Sequence, residues 1–144
     1  MQRRQFIHLS LAGAGAAMAS PALVSAENRN AAKLPAGADL YYTKESAGRW
    51  AAKINSHLPF IEIEKNGAEI KVKVSTAHEM KAYEHYIVKH VLLDQNLKFI
   101  DEHLFDPSKD SLASSSFTLK NYSGVLYAVS MCNKHDVWLE SIEV

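Results

Sequence analysis

Five side chains in this sequence could together hold a transition-metal ion. His57 stands in His57-Leu58-Pro59; His78 and His85 bracket the six residues Glu79 to Glu84; Cys132 and His135 share the segment Cys132-Asn133-Lys134-His135. Imidazole and thiolate are the ligands that borderline and soft first-row ions prefer. Cys132 is the one cysteine of the chain, so no intramolecular disulfide can form. A lone thiol that persists is usually buried or held by a metal. Taken alone, Cys-x2-His is half of a zinc site, but zinc sites usually bring more thiolates. A blue-copper loop would place an axial methionine after the cysteine; none follows Cys132, and Met131 precedes it. A single histidine reads as a satisfied turn residue. Four of them with the only cysteine, at strand edges and turns, read as one site.

The segments between them supply a frame. Phe60-Ile61-Glu62-Ile63-Glu64 alternates apolar and charged residues, Asn66-Gly67 is a hairpin turn signal, and Ile70, Val72 and Val74 alternate with Lys71 and Lys73. Strand-like runs follow near 85–94, 97–104, 115–120, 123–131 and 137–143, punctuated by Asp106-Pro107 and Asn121-Tyr122-Ser123-Gly124. Short strands at this spacing, without a strong helical stretch, predict an all-β antiparallel sandwich. With 144 residues, 47% of them hydrophobic, the chain has enough apolar material for one core. All sixteen acidic residues follow residue 26 and two of the sixteen basic ones precede it, which leaves the remainder two charges negative. Such a balance asks for neither nucleic acid nor an anionic membrane as partner. Hydrolytic chemistry has no support either: no Ser-His-Asp or paired-carboxylate arrangement stands out, and Ser114-Ser115-Ser116 reads as the start of a strand.

Residues 1–26 read as an export signal. Arg3-Arg4-Gln5-Phe6-Ile7 precedes a short stretch of apolar and small residues, and Val24-Ser25-Ala26 offers a signal-peptidase site. The paired arginines resemble a twin-arginine signal, which exports folded proteins and so permits metal insertion before export. The expected location is the periplasm, with no membrane attachment after cleavage. Residues 27–47 read as an N-terminal linker and 48–144 as the domain, and the stretch 41–50 across that boundary could form a short helix or turn.

The residues around the five donors carry a resemblance. His57-Leu58-Pro59-Phe60-Ile61-Glu62, His78-Glu79-Met80 with Glu84-His85-Tyr86-Ile87, and Cys132-Asn133-Lys134-His135-Asp136-Val137-Trp138 together resemble the superoxide reductase family, which includes neelaredoxin and the catalytic domain of desulfoferrodoxin. The likeness spans about residues 48–144, and Cys-Asn-x-His-x-x-Trp is its most specific part. It implies an immunoglobulin-like β-sandwich and one iron ion with four equatorial histidines and an axial cysteine thiolate: here His57, His78, His85, His135 and Cys132. It also implies reduction of superoxide to hydrogen peroxide at the open position opposite the thiolate, whose electron donation is comparable to that in thiolate-ligated haem. Backbone N–H groups around Asn133 and Lys134 are expected to bond the sulfur. The rubredoxin-like domain of desulfoferrodoxin needs four cysteines, so the resemblance is to the one-iron type. Its relatives are often homo-oligomers, which sheet edges would support here. His8, His90 and His103 match no family ligand, and on a straight strand His90 would face away from His85.

Two departures stand out. Where the family commonly has Glu-Lys before its first histidine, a sixth ligand of the ferric state and a charge that attracts superoxide, this chain has Asn55-Ser56. Lys53, shifted, and Lys134, in the cysteine loop, are the candidates to supply that charge. The spacing from His78 to His85 is also one residue longer than in the family, which a loop insertion beside His78 must absorb, and Glu79 replaces a usual proline as a surface acid or a substitute carboxylate. With the superoxide chemistry lost, the same site would serve a periplasmic electron-transfer or metal-binding protein. In either case a periplasmic redox carrier must supply electrons.

Overall fold

Alternation of apolar and charged residues builds the sandwich. The computed structural model describes residues 39–144; the signal-like segment and most of the linker lie outside them. Among the described residues, seven strands form two antiparallel sheets. One has the order β1 (Pro59–Asn66), β2 (Glu69–Thr76), β5 (Ala113–Lys120); the other has β4 (Phe99–Leu104), β3 (Ile87–Leu93), β6 (Val125–Cys132), β7 (Val137–Glu143). The chain changes sheet after β2, β4 and β5, which makes the immunoglobulin-like Greek key. Val72 and Val74 point inward with Ile70 while Lys71 and Lys73 point out, and the inner face packs on Leu92, Leu126 and Ala128 of the other sheet. Each fully buried Val or Leu contributes about 1.5–3 kcal/mol. The β1–β2 hairpin closes through Gly67-Ala68, with Gly67 at φ 61°, a left-handed conformation that costs glycine nothing.

Register brings the donors to one end. Pro59 pairs with Thr76 and Thr76 with Ala113; Ile87 pairs with Cys132, and Met131 with Val137. The starts of β1, β3 and β7 and the ends of β2 and β6 therefore carry His57, His85, His135, His78 and Cys132.

The end of the supposed linker belongs to the domain. Tyr42 is buried, donates its N–H to the Val137 carbonyl (2.8 Å) and accepts from Leu139 N–H (2.8 Å), so it lies as a bridge along β7. It packs with Ala47 and Trp138 in a small apolar cluster that Trp50, Ile54 and Leu58 flank. Residues 48–53 form a 3-10 helix that runs into one α-turn, α1 (Ile54–His57). An aromatic side chain in an otherwise unpatterned stretch gives no periodicity from which to read this docking.

His90 does not contribute to the donor cluster. It has no accessible surface and bonds Thr76 Oγ1 (2.9 Å) and Ser115 Oγ (2.8 Å); Thr76 Oγ1 also meets Ser130 Oγ (2.8 Å). These four side chains tie β2 and β5 to β3 and β6 across the core. Burial, aided by the neighbouring His103, lowers the His90 pKa to about 4. An unfolded histidine titrates near 6.5, so the unfolded chain binds more protons between these values. The neutral ring then contributes up to about 3 kcal/mol at pH 7, lost as pH falls from about 6.5 through 4. In urea titrations of the metal-free protein, His90→Gln is expected to show a shallower loss of stability over that window than the wild type; parallel losses would contradict the assignment.

Candidate metal centre

Local chain geometry aims each donor. His57 closes α1, where Leu58 N–H bonds the Ile54 carbonyl (3.0 Å), and Pro59 then starts β1. His78 follows β2, its N–H on the Thr76 carbonyl (2.7 Å). The longer connection to His85 is absorbed by a tight turn: Lys81 N–H bonds the His85 carbonyl (2.8 Å), and Ala82 takes φ 44°. Cys132 ends β6, and its N–H bonds the Asp136 carbonyl (3.0 Å), closing a hairpin loop in which Asp136 adopts φ 63°.

The five donor atoms lie within 4.8 Å of one another. His57 Nε2 is 2.9 Å from His135 Nδ1, which is 3.0 Å from His85 Nε2, which is 3.0 Å from His78 Nε2. A metal–imidazole bond of about 2.1 Å places neighbouring nitrogens about 3.0 Å apart at right angles and about 3.4 Å apart in a tetrahedron. The observed spacings fit right-angle neighbours, as along three edges of a square. Ring planes agree: neighbours around the square stand at 71–89°, with centroids 4.4–4.8 Å apart, whereas His57 and His85, across it, lie 5.9 Å apart at 31°. Cys132 Sγ is 3.6 Å from both His78 Nε2 and His135 Nδ1. Five donors with four nitrogens in a square exceed a tetrahedral zinc site and differ from a blue-copper site with its two histidines. Without a cation the packing would be unfavourable, because a neutral imidazole has one N–H and His85 Nε2 and His135 Nδ1 each face two other ring nitrogens.

Burial keeps the rings neutral. His57 and His78 are 2% and 8% exposed, and desolvation, reinforced by neighbouring imidazoles, lowers both pKa values to about 4. His85 and His135 are more open and are also lowered, by desolvation foremost. Lys53 and Lys134 add positive charge at both of these rings. Lys134 Nζ stands 3.9 Å from Glu84 Oε1, an exposed pair and so a weak one. Glu79 pairs with Lys81 at 3.1 Å on the surface, as the surface-acid reading expects.

The sulfur receives one of the two expected backbone bonds. Lys134 N–H donates to Cys132 Sγ (3.4 Å), but Asn133 N–H goes to the Tyr86 carbonyl (3.2 Å). Asn133 is a clamp between loops: its Oδ1 accepts from Tyr86 N–H (3.0 Å) and its Nδ2 donates to the Glu84 carbonyl (3.2 Å). That geometry occupies the backbone N–H that would otherwise reach the sulfur.

Several supports gave no signal in the sequence. Trp50 meets the His135 ring edge-on at 4.7 Å and donates from Nε1 to Asp136 Oδ2 (2.8 Å), which also pairs with Arg49. Trp138 Nε1 donates to the His135 carbonyl (2.9 Å). The spacing of Trp138 after Cys132 is the one visible hint of this arrangement.

The chain's likeness to known proteins agrees with this geometry. A model of the desulfoferrodoxin family matches residues 49–141. A single-residue variant of the superoxide reductase (neelaredoxin) from Ignicoccus hospitalis is 31% identical, covers 73% of this chain and 93% of its own, and superposes with a TM-score of 0.66. The parent Ignicoccus hospitalis protein is 30% identical over 73% and 94%, with a TM-score of 0.61. A superoxide reductase in its oxidised state is 25% identical over 75% and 98%, with a TM-score of 0.60. No curated protein sequence matches the chain.

Proposed function

The chain belongs to the desulfoferrodoxin family, and from that membership we propose that it is a one-iron superoxide reductase working in the periplasm. The observation that carries the reading is the square of His57, His135, His85 and His78 nitrogens with Cys132 Sγ beside it. These residues would hold iron, which supplies one electron to superoxide; with two protons the product is hydrogen peroxide. Cys132 would offer its sulfur to the metal from a position that is 4% exposed and supported by Lys134 N–H. Lys53 and Lys134 attract the anionic substrate to the open side, where His85 and His135 are partly exposed. Trp50, Asp136 and Trp138 hold the His135 ring and its backbone. Periplasmic action is supported by Arg3-Arg4 and the apolar stretch after it, and it calls for a redox carrier in that compartment.

Product stoichiometry tests the reaction. With reductant in excess, each superoxide consumed should yield one peroxide and no dioxygen. One dioxygen per peroxide would indicate dismutation, and no acceleration over buffer would favour an electron carrier. Replacing both Lys53 and Lys134 by Met is expected to lower the second-order rate constant roughly tenfold at low salt and to flatten its dependence on ionic strength. An unchanged salt dependence would remove both lysines from this role.

A further inference from the structure

Of the four rings, His57 alone among the described residues has a side-chain hydrogen-bond partner outside the donor cluster. Its Nδ1 lies 2.8 Å from Ser56 Oγ, and Ser56 Oγ lies 3.2 Å from the Lys53 carbonyl. A carbonyl can only accept, so a Ser56 hydroxyl directed at Lys53 is left to accept from His57 Nδ1–H. The Lys53 backbone also bonds the His57 ring, which calls for a ring N–H there as well. A ring protonated at Nδ1 leaves Nε2 as a lone pair, and Nε2 is the atom that faces the other donors. Both contacts sit within one turn of chain, from Lys53 at the N-cap of α1 to His57 at its end. His78 Nδ1, in contrast, is buried with no side-chain partner, and only the Glu79 backbone acts on its ring.

We propose that Ser56 is a positioning residue of the metal centre: its hydroxyl relays the Lys53 carbonyl to His57 Nδ1–H, fixing the tautomer, the orientation and the basicity of that ligand. The inference rests on the iron reading given above. It assigns a role to a position that the resemblance left as a missing lysine. An acceptor on the distal N–H makes an imidazole a better donor and favours the more highly charged state of the bound ion.

The test uses the mature protein loaded with ferrous iron. Iron affinity is read by competition with a chelator, and the ferric/ferrous midpoint potential by following the visible band. Ser56→Ala is expected to weaken iron binding by about 10–100-fold and to raise the potential. Ser56→Thr, which keeps the hydroxyl, should restore both. Unchanged affinity and potential in Ser56→Ala would overturn the proposal and leave the Lys53 carbonyl, itself within reach of the ring, as sufficient. A Thr variant as impaired as the Ala variant would also overturn it, since packing rather than the hydroxyl would then be responsible. A wild-type protein that takes up no iron would instead sink the reading of the centre on which the proposal rests.

Discussion

Replacing Cys132 with Ser should abolish the thiolate-to-ferric absorption band while leaving the sandwich folded. Cys132 Sγ lies buried beside the square of imidazoles, at the end of β6, where the pairing of Cys132 with Ile87 and the bond from its N–H to Asp136 are made by the backbone. A serine keeps those contacts and nearly the same volume. It replaces a soft, electron-donating sulfur with a hard oxygen that resists deprotonation. Four imidazoles remain, so iron binding should weaken without vanishing. Changes to groups that merely support a ligand cost about 10–100-fold in affinity or activity, and loss of the Cys132 sulfur as a ligand should lower the rate of superoxide reduction by more than about 100-fold. Visible absorption, metal content and pulse radiolysis on the same sample check all three. A band that survived would mean the sulfur is not a ligand.

Withdrawal of the metal should be nearly as consequential for stability. His57, His78 and Cys132 are buried with their donor atoms turned toward one another, and only the folded chain assembles them. An ion present at 100 times its dissociation constant stabilises the fold by about 2.7 kcal/mol. For a domain of this size that corresponds to a Tm higher by roughly 10–20 °C than in the chelated protein. His78→Ala removes one corner of the square. Iron should then bind substoichiometrically and the difference in Tm between loaded and chelated protein should collapse. Calorimetry of both proteins with and without chelator measures this directly; an undiminished difference in the variant would place the stabilising ion elsewhere.

The strands and the donors were legible because each is written locally. Ile70-Lys71-Val72-Lys73-Val74 states its own inner and outer face, and the loop motifs name their ligands. What escaped depends on contacts distant in sequence. Tyr42 looked like linker because its partner is β7, nearly a hundred residues on. Trp50 and Asp136 meet only in the folded chain. The extra residue between His78 and His85 was visible, but its accommodation, a turn with Ala82 in the left-handed region, is an exception to the preference for glycine there. His90 matches no ligand position in the sequence, yet its place in a buried network of Thr76, Ser115 and Ser130 is not readable from strand alternation, which leaves polar residues on the inner face unexplained.

The most direct measurement is metal analysis combined with visible absorption of the purified mature protein before and after oxidation. One iron per chain, colourless when reduced and showing a thiolate-to-ferric band in the red when oxidised, is the expected result. Stoichiometric zinc or copper without that band, or a folded protein that binds no metal, would contradict the assignment of His57, His78, His85, Cys132 and His135 as an iron centre.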